Sequence, residues 1–233
     1  MKKGIILIVV LVLGMGMPAE AKTDYHSASY VYLTFDDGPD DRTPAILDVL
    51  KKQKVKATFF VTGRNAKRYP TLLKRIAKEG HAIGLHSMTH DAKLFYKTPA
   101  SAVAEMKETQ VIVARLTGKN VYDVRVPYGS VPKMTSEHIK KMEAAGFRIW
   151  DWNVDSEDWR YAKRPKVTFE RVALGLERTA ERRTAAVVLM HDHATDPVIL
   201  EKWIVSEKKK AAFRTVQQAK TSYSFFAKWP AKK

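Results

Sequence analysis

Short apolar runs alternate with longer amphipathic segments along most of this 233-residue chain. The apolar runs are rich in β-branched and aromatic residues, as buried strands are, and seven of them are centred near residues 31, 57, 83, 125, 149, 187 and 213. A segment with helical spacing of its apolar residues separates each of these runs from the next. Regular alternation of strand and helix predicts a parallel sheet.

Proline and glycine mark where several predicted helices begin and end. The Thr-Pro pairs at residues 43–44 and 98–99 place an N-cap residue before a proline at the first helical position. Three amphipathic stretches end just before a glycine, at Gly80, Gly118 and Gly146. These signals predict helices that connect the strands of the sheet.

The order of elements favours one α/β domain, which we place at residues 22–216. No glycine-rich phosphate loop follows the first strand, so a closed barrel fits the pattern at least as well as an open doubly wound sheet. The segments 147–154 and 212–216 are predicted as the fifth and seventh strands. In either architecture, ligands bind at the carboxyl ends of the strands.

The N-terminus has the pattern of an export signal. Two lysines precede an almost wholly apolar run over residues 4–17, and an Ala-x-Ala cleavage site ends at residue 21. The run is shorter than the roughly 20 residues that a spanning helix needs. We therefore expect a signal peptide over residues 1–21 and a secreted or wall-associated protein, with an uncleaved membrane anchor as the alternative.

The charge of the chain narrows the choice of partner. The formal net charge is +16, and residues 217–233 form a basic, aromatic tail that we expect to be loosely docked. Outside the cell, such a charge favours anionic wall polymers or a membrane surface. No helix-turn-helix, zinc-finger or aromatic RNA-binding motif is present, which argues against nucleic acid as a partner.

Two adjacent acids and a histidine pair follow the first and third predicted strands. Asp36 and Asp37 enter a Gly-Pro turn, while His86 and His90 are four residues apart, close enough to bind one ion from a helical turn. Each pattern alone is also common in ordinary turns. Together, Asp37 and the two histidines make a catalytic type of zinc site with an open position, and Asp36 is then the candidate general base.

Three further residues are positioned to assist this chemistry at the same edge. Arg125 ends the fourth strand, and a bond to Asp36 would orient that carboxylate and lower its pKa. His191 ends the sixth strand and suits a general acid, with Asp158 as the carboxylate that raises its pKa. The tryptophans near residues 150–152 are either sugar-stacking rings or core residues.

Five motifs, taken in this order, resemble those of the NodB-homology polysaccharide deacetylases, carbohydrate esterase family 4. They are residues 36–37, 86–90, 125–129, 155–159 and 189–192. The resemblance is tightest to wall-associated deacetylases of Gram-positive bacteria, although the final helix, 198–210, looks short for the family. It implies a distorted (β/α)7 barrel and the roles already considered for the acids, histidines and arginine.

The resemblance also implies a site for the acetyl group. Trp159 and Leu189 look like the walls of the pocket that receives the acetyl methyl. The backbone amide of Tyr128 looks like part of the oxyanion hole. His191 looks like the catalytic acid and Asp158 like its tuning partner. The implied cofactor is one divalent ion, with zinc expected from the ligand types and Co²⁺ or another first-row ion compatible with them.

The expected reaction is removal of N-acetyl groups from the amino sugars of a polysaccharide, with peptidoglycan as the expected substrate and a monomer as the expected form. An O-acetyl esterase of the xylan type would use the same machinery, because both reactions pass through a tetrahedral oxyanion. A chitin-oligomer deacetylase and a catalytically silent wall-binding protein are also compatible with the sequence.

Overall fold

The computed structural model describes residues 30–226. Its eight strands are Tyr30–Asp36 (β1), Thr58–Val61 (β2), Ala82–Leu85 (β3), Asp123–Val124 (β4), Arg148–Ile149 (β5), Val154–Asp155 (β6), Ala186–His191 (β7) and Ala212–Arg214 (β8). The expected signal peptide over residues 1–21 lies outside this range.

Nine α-helices lie between these strands in the described part of the chain. They are Thr43–Gln53 (α1), Gly63–Arg68 (α2), Pro70–Lys78 (α3), Ala92–Phe95 (α4), Pro99–Thr117 (α5), Ser136–Ala144 (α6), Asp158–Tyr161 (α7), Pro165–Glu181 (α8) and Pro197–Glu207 (α9). The predicted start at Thr98 is confirmed, since its side chain accepts a hydrogen bond from Ser101 N and Gly118 ends the helix with a positive φ of 71°. At residue 43 the N-cap is instead Arg42, and Pro44 lies in the first turn as expected.

All strand pairs are parallel, as the alternating pattern predicts. The sheet order is β5-β4-β3-β2-β1-β7-β6, and β8 pairs with the first residues of β1. Within residues 30–226, β5 and β6 stand at the two ends of this order and no strand ladder joins them. The fold is therefore an α/β barrel that is distorted by incomplete closure, as the resemblance of the five motifs implies.

The predicted strand at 147–154 is wrong as a single element, because it is divided into β5 and β6. Trp150 N still donates to Val124 O at 2.8 Å, whereas Asn153 N donates to Val187 O at 3.2 Å. The segment thus leaves the β4 side of the sheet and crosses to β7. Trp150 remains buried inside the barrel, so the alternation of apolar and polar residues continues through the crossing. The sequence pattern alone therefore does not reveal the break between β5 and β6.

Alternate residues of β1 face two different environments. Val31, Leu33 and Phe35 belong to the large core beneath the helices, whereas Tyr32 packs with Trp150 inside the barrel. The next two residues on the Tyr32 face of β1, Thr34 and Asp36, are polar. The strand therefore carries its charged end, at Asp36, to the carboxyl edge of the sheet.

The final segment departs from two expectations. The predicted strand at 212–216 stops at Arg214 and is followed by a short 3₁₀ helix, Val216–Gln218. The described part of the tail is not loosely docked, since Asp151 N donates to Tyr223 O at 2.7 Å and Phe225 N donates to Asp151 Oδ2 at 2.7 Å. The domain limits at 22 and 216 stay a prediction. Among the described helices, none combines the length and apolar character needed to cross a bilayer.

Candidate functional site

A cleft of about 480 Å³ opens at the carboxyl edge of the sheet, where the sequence predicts the ligand site. Eight of the ten predicted site residues line it: Asp36, Asp37, His86, His90, Tyr128, Trp159, Leu189 and His191. The other two, Arg125 and Asp158, are buried beneath it and contact Asp36 and His191. All ten therefore converge on one place, although their roles stay predictions.

Asp37, His86 and His90 form a possible metal centre. Their candidate ligand atoms lie within 4.8 Å of one another. Asp37 Oδ1 is 3.5 Å from the Nε2 atoms of both histidines and is buried without a hydrogen-bond partner. An unpartnered buried carboxylate oxygen that faces two imidazole nitrogens fits a cation.

The surroundings of His86 favour the form that binds a metal. Its Nδ1 lies 2.7 Å from Arg125 O, so this nitrogen carries the proton and Nε2 is left with a free lone pair. Burial lowers the pKa of His86 to about 3, although the charge of Asp37 opposes the shift. The neutral imidazole is therefore already present well below neutral pH.

Strained backbone surrounds the cleft. Positive φ angles are found at Asp37 (73°), Ser87 (64°), His90 (61°) and Tyr128 (64°), none of which is glycine. Such residues are uncommon and persist where the surrounding structure holds them, often at functional sites. Here Asn65 Nδ2 donates to Asp37 O at 2.7 Å, and His90 N donates to Ser87 Oγ at 2.8 Å.

Arg125 holds Asp36 in place from below. Its Nη1 donates to Asp36 Oδ1 at 2.8 Å and to Thr34 Oγ1 at 2.6 Å, while Nε and Nη2 donate to the carbonyls of Trp150 and Asp151. The guanidinium is fully buried and lies 4.3 Å above the Phe60 ring. The predicted bond between Arg125 and Asp36 is thus present.

The predicted effect on the pKa of Asp36 is wrong in its net sign. Burial raises the pKa of this carboxyl, and this outweighs the lowering by the charge of Arg125 and by the bond to it. The sequence indicates that Arg125 bonds to Asp36, but it does not indicate how deeply the guanidinium and the carboxyl group are buried. A raised pKa brings a carboxylate closer to the basicity that a general base needs.

His191 is oriented by a fully bonded Asp158. Asp158 Oδ1 lies 2.7 Å from His191 Nδ1, and its Oδ2 accepts from His191 N at 2.7 Å and from Thr195 Oγ1 at 3.1 Å. Burial lowers the pKa of His191, but the bond to Asp158 and the charges of Asp158, Asp36 and Asp37 outweigh it and raise the pKa to about 9. The imidazole is therefore protonated at neutral pH, with Nε2–H available to the cleft.

A tight turn carries Tyr128 along the rim. Tyr96 Oη donates to Pro127 O at 2.6 Å and to Gly129 O at 3.2 Å, which braces the turn on both sides. The exposed ring of Tyr128 contacts that of His90, with a centroid distance of 4.7 Å. The turn therefore connects the predicted oxyanion amide to the metal cluster.

Four residues of the cleft were not among the predicted site residues: Val126, Trp152, Asp155 and His193. Asp155 follows Val154 at the end of β6, so its place at a strand's carboxyl end was a usable signal. Trp152 Nε1 donates to Asp155 Oδ2 at 3.2 Å. Of the two candidate aromatics, Trp150 is core and Trp152 faces the cleft.

The fold and the site together define a class of protein. It is an α/β barrel with a metal-type centre of one aspartate and two histidines, beside the buried Asp36 and the His191–Asp158 pair. Residues 23–150, more than half of the chain, match the polysaccharide deacetylase family. The chain belongs to this family, and the resemblance seen in its five motifs is confirmed.

Solved and curated relatives agree with this assignment. The crystal structure of the polysaccharide deacetylase Bc1974 from Bacillus cereus is 36% identical, with a TM-score of 0.71, over 88% of this chain and 96% of that one. A putative polysaccharide deacetylase of Bacillus subtilis, YheN, is 45% identical over 163 residues, which are 70% of this chain and 57% of YheN.

A peptidoglycan-N-acetylglucosamine deacetylase of Bacillus cereus is 40% identical over 178 residues, covering 76% of this chain and 65% of the relative. The match thus spans 57% and 65% of the lengths of these two curated relatives. Bc1974 shares the fold of this chain, and the two curated relatives resemble it in sequence.

Proposed function

We propose that this protein is a metal-dependent hydrolase that removes N-acetyl groups from the amino sugars of peptidoglycan. The observation that carries the proposal is the arrangement of the cleft, which brings the Asp37, His86 and His90 cluster together with Asp36 and His191. The last two residues are register partners on the neighbouring strands β1 and β7. A base and an acid on adjacent strands suit the two proton transfers of amide hydrolysis.

The ligand set fits a divalent cation, and zinc is the ion we propose for it. When bound, the cation supplies Lewis acidity that polarises the attacking water and the acetyl carbonyl. The protein's own residues then carry the protons. Asp36, held by Arg125, accepts a proton from the water, and His191 Nε2–H donates one to the leaving amine nitrogen.

The remaining predicted residues hold the acetyl group. We assign the Tyr128 N–H to the carbonyl oxygen on which negative charge develops. Buried Leu189 and half-exposed Trp159 line the cleft and offer apolar contact to the acetyl methyl.

We also propose that the protein works outside the cytoplasm, in contact with the wall. The support is the export pattern in residues 1–21 and the net charge of +16, which suits an anionic polymer. Relatives that are named as peptidoglycan deacetylases point to the same substrate. Fractionation of the producing cell, with detection of the mature N-terminus, tests this location and separates cleavage from a retained anchor.

The decisive experiment measures acetate released from purified peptidoglycan, with and without a chelator and with zinc restored. An N-acetylglucosamine oligomer and an O-acetylated xylan serve as parallel substrates. We expect chelator-sensitive release from peptidoglycan that zinc restores. Release from the oligomer alone would make the protein a chitin-type deacetylase, and release from xylan alone would make it an O-acetyl esterase.

A silent wall-binding protein would release acetate from none of these substrates. The Asp36→Asn variant separates that case, because it should lose turnover while retaining wall binding. Equal effects of the wild type and the variant on the wall would favour the silent binder.

A further inference from the structure

We propose that Phe225, together with Trp152, forms a sugar-binding subsite beside the catalytic cleft. This subsite takes the pyranose ring next to the one that loses its acetyl group. The inference rests on the proposed function only in that the ligand is a polysaccharide. It assigns a binding role to the C-terminal segment, which lies outside all five motifs.

The aromatic ring of Phe225 extends the wall of the cleft outward. Trp152 lines the cleft itself, and the Phe225 ring meets it edge-on, with a centroid distance of 5.4 Å and an interplanar angle of 70°. Phe225 is 38% exposed, whereas the phenylalanines of the core are almost fully buried. The apolar surface that begins at Trp152 therefore continues onto an accessible ring.

The main chain holds this ring at a fixed position. Phe225 N donates to Asp151 Oδ2 at 2.7 Å, and Asp151 N donates to Tyr223 O at 2.7 Å. Asp151 is fully buried, and its carboxylate also accepts from Ser130 N at 2.9 Å and Ser130 Oγ at 2.5 Å. One carboxylate thus anchors both Phe225 and the turn that carries Tyr128, so little conformational entropy is lost when a sugar binds.

Glycine at position 129 allows the two rings to approach that turn. A Cβ atom added to Gly129 would lie 2.9 Å from Trp152 Cη2 and 3.4 Å from Phe225 Cε2. Both rings therefore pack directly against the residue that follows Tyr128. Because Gly129 directly follows Tyr128, this contact keeps the Phe225 ring close to the proposed oxyanion amide.

The chemistry of the surface fits a sugar ring better than a purely structural role. Pyranose rings have apolar C–H faces and polar edges, and they stack on accessible aromatic rings. Asp155 accepts from Trp152 Nε1 beside this surface and offers its carboxylate to sugar hydroxyl groups.

The test compares Phe225→Ala with the wild type on substrates of different length. For an N-acetylglucosamine hexamer we expect KM to rise about tenfold while kcat changes by less than about twofold. For para-nitrophenyl acetate, which has no sugar ring, we expect no change. Phe225→Tyr should restore the wild-type KM.

Phe226→Ala is the matched control. Phe226 is 39% exposed and adjacent in sequence, but no ring contact within residues 30–226 involves it. We expect its KM for the hexamer to remain that of the wild type. An equal rise in both variants would overturn the assignment to Phe225, and so would a loss of kcat on both substrates, which marks a structural role.

Calorimetric titration with the hexamer separates the subsite from the reaction. Weaker binding by Phe225→Ala than by the wild type supports the subsite even if neither protein releases acetate, in which case the proposed function alone would fail. Equal binding by the two proteins, together with wild-type release of acetate, would leave the function in place and overturn the subsite.

Discussion

Asp36 and His191 line the same cleft, and their pKa values are both raised, for different reasons. Burial raises the pKa of Asp36 against the opposing charge of Arg125, whereas the partner Asp158 raises that of His191 against burial. At neutral pH His191 is therefore an imidazolium, while Asp36 is a stronger base than an ordinary aspartate. This difference in environment supports the proposal that Asp36 is the base and His191 the acid.

Asp36→Asn should abolish most of the activity and leave the metal in place. The amide cannot accept a proton from water, and general bases contribute about 10²- to 10⁴-fold to rates. We expect kcat for acetate release to fall by about 10³-fold, with unchanged metal content. Loss of metal together with activity would instead make Asp36 a ligand.

The kcat/KM for acetate release should fall as pH increases through about 9. The acid form of His191 is present below its raised pKa and is lost as pH rises through that value. Asp158→Asn removes the charge that raises this pKa, so the alkaline limb of the kcat/KM profile should move to lower pH. A limb that stays in place in the variant would assign it to another group.

His90→Ala should lose the metal, while His193→Ala should keep it. His90 Nε2 is 3.5 Å from Asp37 Oδ1, whereas exposed His193 reaches only to 4.0 Å from Asp37 Oδ2 and is not part of the cluster. Metal content after dialysis, measured by elemental analysis, is the readout. Equal losses in both variants would enlarge the ligand set to include His193.

At the scale of secondary structure, a contact between β3 and β2 supports Arg125 and its partner Asp36. Gly84 lies in β3, and a Cβ atom added there would be 2.2 Å from the Phe60 ring of β2. Phe60 in turn lies beneath the Arg125 guanidinium. The absence of a side chain at residue 84 therefore determines how Arg125, and with it Asp36, is supported.

Gly84→Ala should reduce both stability and activity, because the added methyl group displaces Phe60. Overpacking of this kind costs about 1–3 kcal/mol. Gly118→Ala is the matched control, since Gly118 has open space around it but a positive φ of 71° at the end of α5. A side chain in this left-handed conformation should lower the free energy of unfolding by about 1 kcal/mol. Urea unfolding and kcat for both variants check this, and an unchanged kcat in Gly84→Ala would contradict the link to Arg125.

At the scale of the whole molecule, excess positive charge accompanies a cleft that contains several acids. The formal net charge is +16, although three carboxylates line the cleft: Asp36, Asp37 and Asp155. The positive charge is therefore carried elsewhere. We propose that this field attracts an anionic polymer over distances of about 10 Å, while the local contacts of the cleft select the acetylated sugar.

Binding to purified walls should weaken with salt. Raising the ionic strength from about 0.05 to 0.5 M screens surface charges, so we expect less protein to sediment with the walls. Walls stripped of their anionic polymers are the control and should bind less at low salt. Binding that is unaffected by salt or stripping would show that the charge has no part in wall attachment.

Much of the fold and of the site is predictable because it is encoded locally. Alternation of strands and helices predicts the parallel sheet, and the residues that follow each strand predict where Asp36, His86 and His191 converge. Carboxyl ends of parallel strands meet at one edge, so residues distant in sequence are brought together by topology alone. The pairing of Arg125 with Asp36 follows from the same rule.

The sequence by itself thus determined the parallel α/β arrangement, the five motifs and the identity of the groups at the strand ends. Only the tertiary structure decided the net pKa shift of Asp36, the crossing at residues 150–153 and the docking of Phe225 on Asp151. The physical reason is that these features depend on depth of burial and on contacts between segments far apart in the chain. Local patterns of apolar and polar residues do not specify either quantity.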